Sequence, residues 1–180
     1  MRSHGRLNPC AHSFNPCAHS CSSLASFALL ASRPEKAELE LSLTGHQDII
    51  TSLALSADGT SLLSNAMDNV IRRWDVQPYC SGDRCSAVFL GAQHNYEKNL
   101  IRCGWSPDGS QVCSGSADSF VYVWDVNSAP DATQRIAYKL PGHAGSVNEV
   151  AFHPTQPIIA SCGNDKQIYV GEIRPQSTVV

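Results

Sequence analysis

Three copies of one sequence unit follow each other along this 180-residue chain, and the repeat limits the possible folds more than any other feature. In the first copy a histidine is followed after 18 residues by a serine, after 4 more by an aspartate and after 6 more by a tryptophan. The third copy keeps this spacing with glycine in place of tryptophan, and the middle copy keeps the last three positions. The residues concerned are His46, Ser64, Asp68 and Trp74, then Ser114, Asp118 and Trp124, then His143, Ser161 and Asp165. A unit of this length buries little surface alone, so the copies are predicted to stack on one another.

The order of residue types within each unit predicts antiparallel strands. Each unit begins with an apolar run, which is followed by a turn that contains Asp-Gly or Pro. A short second run that ends in serine comes next, and then a second turn that contains the aspartate. The third run is rich in β-branched and aromatic residues. A fourth run separates the units. The first runs are Ile49–Leu55, Leu100–Trp105 and Val147–Phe152, and the fourth runs are Leu39–Leu43, Cys85–Leu90 and Arg135–Leu140. Each unit is therefore expected to supply four strands.

The spacing of these motifs resembles that of a known repeat family. Gly-His near the start of the unit, Trp-Asp at its end and a period slightly above forty are similar to WD40 repeats, each of which supplies one blade of a β-propeller. In the middle copy, "GAQHNYEKN" has two extra residues, so Tyr96 stands where histidine would align and His94 lies nearby. The stretches "LLSNAMDN", "WSPDGS" and "KLPGHAGSVNEVAFHP" further resemble the family of WD-repeat subunits of the spliceosomal U5 small nuclear ribonucleoprotein.

This resemblance covers residues 38–173 and implies an all-β fold. We expect a partial β-propeller of three four-stranded antiparallel blades within residues 37–180, at about 37–79, 85–128 and 135–175. The U5 family has seven blades, whereas this chain has room for three. Residues 1–36 resemble nothing in the family and are expected to form a disordered segment.

Serine, histidine and aspartate in one unit also suggest a hydrolase, in which serine would attack a substrate and histidine would act as the base. The repetition of these residues favours a structural role. A protein needs an active site only once, whereas a hydrogen-bonded set that occurs in every unit is a structural feature of the repeat. In WD repeats the aspartate, histidine, serine and tryptophan form a chain of hydrogen bonds. The resemblance therefore assigns these residues to a structural tetrad whose loss would leave buried polar groups unpaired.

If the tetrad is structural, the function of the protein is expected to depend on surfaces that bind partners. The resemblance implies a non-catalytic, nuclear scaffold for protein–protein interactions in pre-mRNA splicing that docks on the large core protein of the U5 particle. It implies indirect association with RNA and no cofactor, metal, membrane or small-molecule substrate. Propellers commonly bind partners through the loops of one rim, and the candidate contact residues there are Asp48, Met67, Lys98, Ala117 and Asn164. A generic WD-repeat adaptor, such as a substrate receptor of a ubiquitin ligase, is the alternative.

Composition narrows the function classes further. Residues 1–36 carry four basic residues against one acidic residue, and the remainder of the chain carries nine against fifteen. An acidic main body argues against sequence-independent binding to a phosphate backbone. Cys103, Cys113 and Cys162 lie in predicted strands, where a thiol is a small apolar filler, so a reducing compartment is expected. The longest apolar run, Leu24–Ala31, is too short to span a bilayer.

The N-terminal segment contains a near repeat of its own, "NPCAHSF" and "NPCAHSC". Its thiols and imidazoles could ligate zinc, but the spacing matches no closed zinc module, so disorder is favoured. A transit peptide is a further alternative, and an alternative start that replaced the first four blades is the preferred explanation. Three blades without the others would leave exposed sheet edges, so the isolated chain is expected to be poorly soluble or oligomeric.

Overall fold

The computed structural model describes residues 41–80, 82–128 and 136–173, and all the regular structure in these ranges is β-strand. Eleven strands form three antiparallel sheets, here called blades 1, 2 and 3. Blade 1 contains β1 (Ile50–Leu55), β2 (Ser61–Ala66), β3 (Val70–Asp75) and β4 (Cys85–Leu90); blade 2 contains β5 (Cys103–Trp105), β6 (Gln111–Ser114), β7 (Val121–Asp125) and β8 (Ile136–Leu140); blade 3 contains β9 (Val147–Phe152), β10 (Ile158–Gly163) and β11 (Ile168–Glu172). The predicted all-β fold of stacked blades is confirmed.

The structure differs from the expected strands in three places. Within the described residues blade 3 has three strands, because β11 pairs with β10 and no fourth strand lies beside it. Leu41–Leu43 is not a strand. Strand β5 begins at Cys103 and not at Leu100, because the backbone just before it bonds to neighbouring blades: Thr51 of blade 1 donates its hydroxyl to the Ile101 carbonyl, and the Arg102 N–H donates to the Asn148 carbonyl of blade 3.

The sequence units and the sheets are offset by one strand. Strand β4 precedes the second sequence unit but pairs with β3 of blade 1, and β8 precedes the third unit but pairs with β7 of blade 2. The sheets therefore cover 50–90, 103–140 and 147–172. The predicted blade limits follow the sequence unit and do not include this offset. The outer strands β4 and β8 thus each lead into the next blade.

Alternation along the strands gives each blade two faces, and these faces pack between blades. In β3, Ile71 points toward blade 2, where it joins a buried cluster with Phe89, Val112 and Trp124. Trp74 points to the opposite face and packs with a separate cluster. The far face of blade 2 then packs on blade 3 in a third cluster, whose buried members are Cys113, Val121, Val123, Val147, Val150 and Ile159. Three layers of side chains therefore run across the stack of blades.

The predictions for residues 1–36, including the Cys-His pairs and a targeting role, concern residues outside the described ranges. In the part of the chain that the structure covers, no helix has the length and apolar character that a membrane crossing requires.

The close approach of blades 2 and 3 predicts a position where only glycine fits. A Cβ atom on Gly115 would lie 2.1 Å from the Val147 carbonyl oxygen of blade 3, whereas a Cβ on Gly171 would meet nothing within 4 Å. Gly115→Ala should therefore lower the free energy of unfolding by about 3 kcal/mol, since the two sheets would have to separate. The matched change Gly171→Ala should alter it by less than about 0.5 kcal/mol. Urea denaturation followed by circular dichroism measures both, and equal effects of the two substitutions would contradict the packing described.

Candidate functional site: repeated hydrogen-bond networks and one rim of loops

Blade 1 contains a continuous chain of four hydrogen-bonded side chains. The Trp74 Nε1–H donates to Ser64 Oγ at 2.7 Å, and Ser64 Oγ lies 2.6 Å from His46 Nε2. On the other side of the ring, His46 Nδ1 lies 2.9 Å from Asp68 Oδ2. Because an indole nitrogen can only donate, one assignment uses every proton once: tryptophan donates to serine, serine to histidine and histidine to aspartate.

Local structure holds this network in place. Asp68 also accepts the backbone N–H groups of Gln47 and Val70, so its carboxylate ties the Gly-His loop to the turn between β2 and β3. The edge of the His46 ring faces Trp74 with the ring centroids 6.1 Å apart. Ser64 and Trp74 are buried. The network therefore satisfies polar groups that would otherwise be unpaired inside the sheet.

Blade 3 forms the same network without the tryptophan. His143 lies 2.9 Å from Ser161 Oγ through Nε2 and 2.9 Å from Asp165 Oδ2 through Nδ1. Gly171 occupies the tryptophan position, and Tyr169 covers the histidine, its ring edge-on at a centroid distance of 4.5 Å. Tyrosine thus supplies apolar contact to the imidazole but no indole N–H to the serine.

Blade 2 does not form the predicted network, and this is a correction. Ser114 is fully buried, but its hydroxyl faces the carbonyls of Gly115 at 3.0 Å and Arg102 at 3.3 Å. Trp124 donates its Nε1–H to the Leu90 carbonyl of blade 1 at 3.0 Å and not to Ser114. Asp118 accepts the Tyr122 hydroxyl at 2.6 Å. The three residues are therefore satisfied separately.

The missing histidine explains this difference. Tyr96, which aligns with the histidine of the other units, is exposed, and His94 turns toward blade 1, with Nε2 3.4 Å from Asn65 Oδ1. Without an imidazole between serine and aspartate, Tyr122 reaches Asp118 and stacks on Trp124, at a centroid distance of 5.7 Å and an interplanar angle of 16°. Sequence reasoning missed Tyr122, although its position four residues after the aspartate, where blade 1 has Arg72, was the available signal.

The predicted rim residues all lie at one end of the sheets. Asp48 and Lys98 belong to the loops before β1 and β5, and Met67, Ala117 and Asn164 belong to the turns that follow β2, β6 and β10. In an antiparallel sheet these loops emerge at the same end. Backbone hydrogen bonds join them, since the Met67 N–H donates to the Ile49 carbonyl and the Ala117 N–H donates to the Gln93 carbonyl. Asp48, Lys98 and Asn164 are exposed, while Met67 and Ala117 are half-buried.

The described cysteines are free thiols, and those in the core are poor nucleophiles. Burial raises the pKa of the Cys103 thiol to about 11, and burial also raises the pKa of Cys113. A neutral thiol in an apolar layer acts as a packing group. Across residues 41–80, 82–128 and 136–173, no group of three or more His, Cys, Asp or Glu side chains is arranged to hold a metal ion.

Stacked antiparallel blades with a Gly-His loop, a turn aspartate and a strand tryptophan define a β-propeller repeat protein. The chain belongs to the "WD domain, G-beta repeat" family, whose model matches residues 37–75, 85–125 and 134–170. The limits of these matches follow the sequence unit and not the sheet. The second and third matches therefore begin with β4 and β8, which pair with the preceding sheet, and the first match includes the corresponding segment before blade 1.

Within the WD-repeat family, the chain is similar to several curated relatives. The chain is 58% identical over 137 residues to the U5 small nuclear ribonucleoprotein 40 kDa protein of Homo sapiens, covering 76% of this chain and 37% of the relative. It is 54% identical to the protein of the same name from Dictyostelium discoideum, covering 72% of this chain and 47% of the relative. It is 52% identical to the pre-mRNA-splicing factor cwf17 of Schizosaccharomyces pombe, over 73% and 37% of the two chains. The chain therefore spans less than half the length of these relatives.

A solved structure shares the fold. The structure titled "Structure of U3-55K" superposes with a TM-score of 0.58 at 25% identity, covering 73% of this chain and 38% of the other.

The difference between blades 1 and 2 predicts unequal roles for their aspartates. Asp68→Ala should lower the free energy of unfolding by about 2–3 kcal/mol, because His46 and two backbone N–H groups lose their buried acceptor. Asp118→Ala should cost about 1 kcal/mol, because the Asp118 side chain is 21% exposed against 9% for Asp68, and the Lys139 ammonium that approaches its carboxylate is itself exposed. Chemical denaturation measures both variants. An Asp118→Ala variant less stable than Asp68→Ala would contradict the assignment.

Blade 3 predicts a pH dependence of stability. Burial alone opposes ionisation of Asp165, but hydrogen bonds from the Ala144 N–H, the His143 ring and the Gln167 N–H offset it and lower the pKa of the carboxyl group. The ionised form therefore stabilises the fold above the ordinary pKa of 3.8, and this contribution is lost as pH falls through the lower folded value. Thermal melts should show Asp165→Asn less stable at neutral pH and less sensitive to acid below pH about 4 than the unaltered protein. Parallel acid profiles of the two proteins would contradict this.

Proposed function

We propose that this chain acts as a non-catalytic scaffold in pre-mRNA splicing and binds protein partners through its rim of loops. The observation that carries the proposal is the 58% identity over 137 residues to a protein named as a U5 small nuclear ribonucleoprotein component. The similarity to the splicing factor cwf17 supports the same process. A splicing role implies that the chain works in the nucleus and that its association with RNA is indirect, through the particle.

The geometry of the Ser-His-Asp sets supports scaffolding over hydrolysis. The hydrogen-bond order in blade 1 matches that of a catalytic triad, but Ser64 is buried and its oxygen already accepts the Trp74 N–H. A nucleophile must approach a substrate carbonyl beside an oxyanion site, and this oxygen is enclosed within the sheet. Ser161 of blade 3 is likewise buried. Both sets thus stabilise loops, including the Gly-His loop that carries Asp48.

The rim offers a surface of suitable chemistry for a protein partner. Lys98 is exposed and held in the left-handed region at φ 54°, which presents its side chain from a fixed backbone. Asn164 accepts a hydrogen bond from Asn148 at 2.7 Å, so a second loop is also ordered. A preorganised rim loses little conformational entropy on binding. We propose the large core protein of the U5 particle as the partner that contacts this rim.

Affinity capture from nuclear extract tests the proposal. Tagged chain should recover the large U5 core protein and, through the particle, U5 RNA. Asp48→Lys and Lys98→Glu together should reduce recovery of both by about tenfold or more, because charge reversal at a rim opposes a complementary partner. Recovery of a ubiquitin ligase without U5 components would overturn the splicing assignment in favour of a generic adaptor.

A matched variant shows whether the loss of recovery is specific to the rim or follows from charge reversal anywhere on the surface. Asp83→Lys reverses an equally exposed aspartate in the loop between β3 and β4, at the opposite end of blade 1. Asp48 and Asp83 each accept a nearby backbone N–H, from Ile49 and Cys85 respectively, so the two changes disturb similar local contacts. Recovery should be unchanged by Asp83→Lys. Equal losses from both ends would show that the rim is not the contact surface.

A further inference from the structure

Two clefts between neighbouring blades open at the end of the sheets opposite the rim that carries the Gly-His loops, here called the lower end. In each cleft the turn after the first strand of one blade faces the corresponding turn of the next blade. The cleft between blades 1 and 2 has a volume of about 280 Å³, and the cleft between blades 2 and 3 has a volume of about 420 Å³. The larger volume lies within the range of about 300–1,000 Å³ that is usual for ligand sites.

The smaller cleft holds a cationic side chain of the protein itself. Arg73 of β3 places its guanidinium carbon 5.9 Å from the centre of the Trp105 ring, which forms part of the wall from blade 2. The Arg73 Nε–H donates to Ser61 Oγ at 3.2 Å. Asp58 and Asp108 line the same cleft. A guanidinium on an aromatic face, with carboxylates nearby, is therefore an arrangement that this surface already forms within the chain.

The larger cleft has a similar construction without the cation. Val123 stands where blade 1 has Arg73, and Tyr138, paired with Val123, stands where blade 1 has Ala87. Phe152 aligns with the tryptophan of the smaller cleft and lines the wall from blade 3. Among the described residues that line this cleft there is no lysine or arginine. Its walls are therefore aromatic but lack the positive charge that the smaller cleft contains.

One carboxylate belongs to the wall of the larger cleft. Asp108 is exposed and accepts the hydroxyls of Ser106 at 2.6 Å and Ser110 at 2.7 Å. These hydrogen bonds lower the pKa of the Asp108 carboxyl group, so it is ionised at neutral pH. In the turn of blade 3, His153 accepts two backbone N–H groups through Nδ1, so this nitrogen carries no proton. The charge on the described walls is therefore negative.

The lower end as a whole is acidic in the part of the chain that the structure describes. Its turns and strand ends carry six acidic residues against one basic residue, Arg84, in addition to the Arg73 that lies in the smaller cleft. The acidic residues are Asp58, Asp75, Asp83, Asp108, Asp125 and Glu172. Such a distribution attracts basic segments and repels acidic peptides and nucleic-acid phosphates.

We propose that the cleft between blades 2 and 3 binds a basic peptide segment of a partner protein, in which a lysine or arginine lies beside an apolar residue. The cation bonds to the Asp108 carboxylate and lies against Phe152 or Tyr138, while the apolar neighbour covers the rest of the aromatic wall. Each carboxylate oxygen of Asp108 can accept more than one donor, so the serine hydroxyls need not be displaced. This surface is separate from the rim, so one chain can hold both partners at once.

Selection from a phage-displayed library of random peptides of about twelve residues, on the immobilised full chain, tests the proposal. The selected sequences should carry lysine or arginine next to a leucine, isoleucine or aromatic residue. The strongest of them, synthesised with a fluorescent label, should bind with a dissociation constant that rises by about tenfold between about 50 and about 300 mM NaCl, because salt screens the charges. Enrichment of acidic sequences, or no enrichment over the bare matrix, would exclude the proposed partner class.

Matched turn variants locate the bound peptide. Asp108→Asn should weaken binding of the selected peptide by about tenfold, because the cation loses an ionised acceptor. Asp58→Asn removes the same charge from the equivalent turn of blade 1, where the Ser56 and Thr60 hydroxyls donate the corresponding hydrogen bonds. Because Asp58 does not line the larger cleft, this variant should change the affinity by less than about twofold. Equal losses in the two variants would show that the overall charge, and not the cleft, attracts the peptide.

A pair of opposite charges at one position separates binding from stability. Gln156 is exposed in the turn of blade 3 and lines the cleft. Gln156→Glu should tighten binding by about threefold and Gln156→Lys should weaken it by about threefold. A loss in both variants would indicate a structural fault and reject the proposed contact.

The rim variant with Asp48→Lys and Lys98→Glu should bind the peptide as tightly as the unaltered chain. Its cleft is unchanged, so this result does not depend on whether the chain binds U5 components. Loss of the peptide from the rim variant would place the peptide at the rim and refute the assignment to the cleft.

Discussion

Packing of one sheet face on the next is the interaction on which the rest of this structure depends. A strand with apolar residues on both sides forms a sheet that must be covered twice, so a single blade of this chain cannot be stable alone. The offset between sequence unit and sheet strengthens the stacking, because each outer strand continues directly into the following blade. Gly115 shows how close the approach is, since its backbone meets that of Val147 with no room for a side chain.

The polar networks serve this packing in different ways. In blade 1 the series of hydrogen bonds from Trp74 to Asp68 lies within one blade and joins the Gly-His loop to the turn between β2 and β3. In blade 2 the Trp124 Nε1–H donates to the Leu90 carbonyl of blade 1, so here the tryptophan forms a hydrogen bond between blades. Each solution leaves the buried indole N–H with an acceptor, which is the physical requirement that both meet.

Membership of the WD-repeat family and the resemblance to splicing proteins agree with a structure that buries Ser64, Ser114 and Ser161 and keeps its rim loops ordered. A hydrolase of the Ser-His-Asp kind must present its serine to a substrate, whereas a binding platform holds its loops in place so that a partner meets a fixed surface. The hydrogen bonds around Asp68 and Asp165 act on the same loops that carry the proposed contact residues. Stability and binding are therefore expected to depend on neighbouring but distinct side chains.

The sequence by itself determined the repeat, the all-β class and the approximate strands, because turn residues and alternating apolar runs are local signals read within a few residues. Strands β4 and β9 begin and end where those signals place them. Only the tertiary structure decided which sheet an outer strand joins, where β5 begins and that Trp124 bonds to Leu90 and not to Ser114. Those features depend on contacts between residues far apart in the chain, and a hydrogen-bond acceptor 34 residues away leaves no local pattern in the sequence.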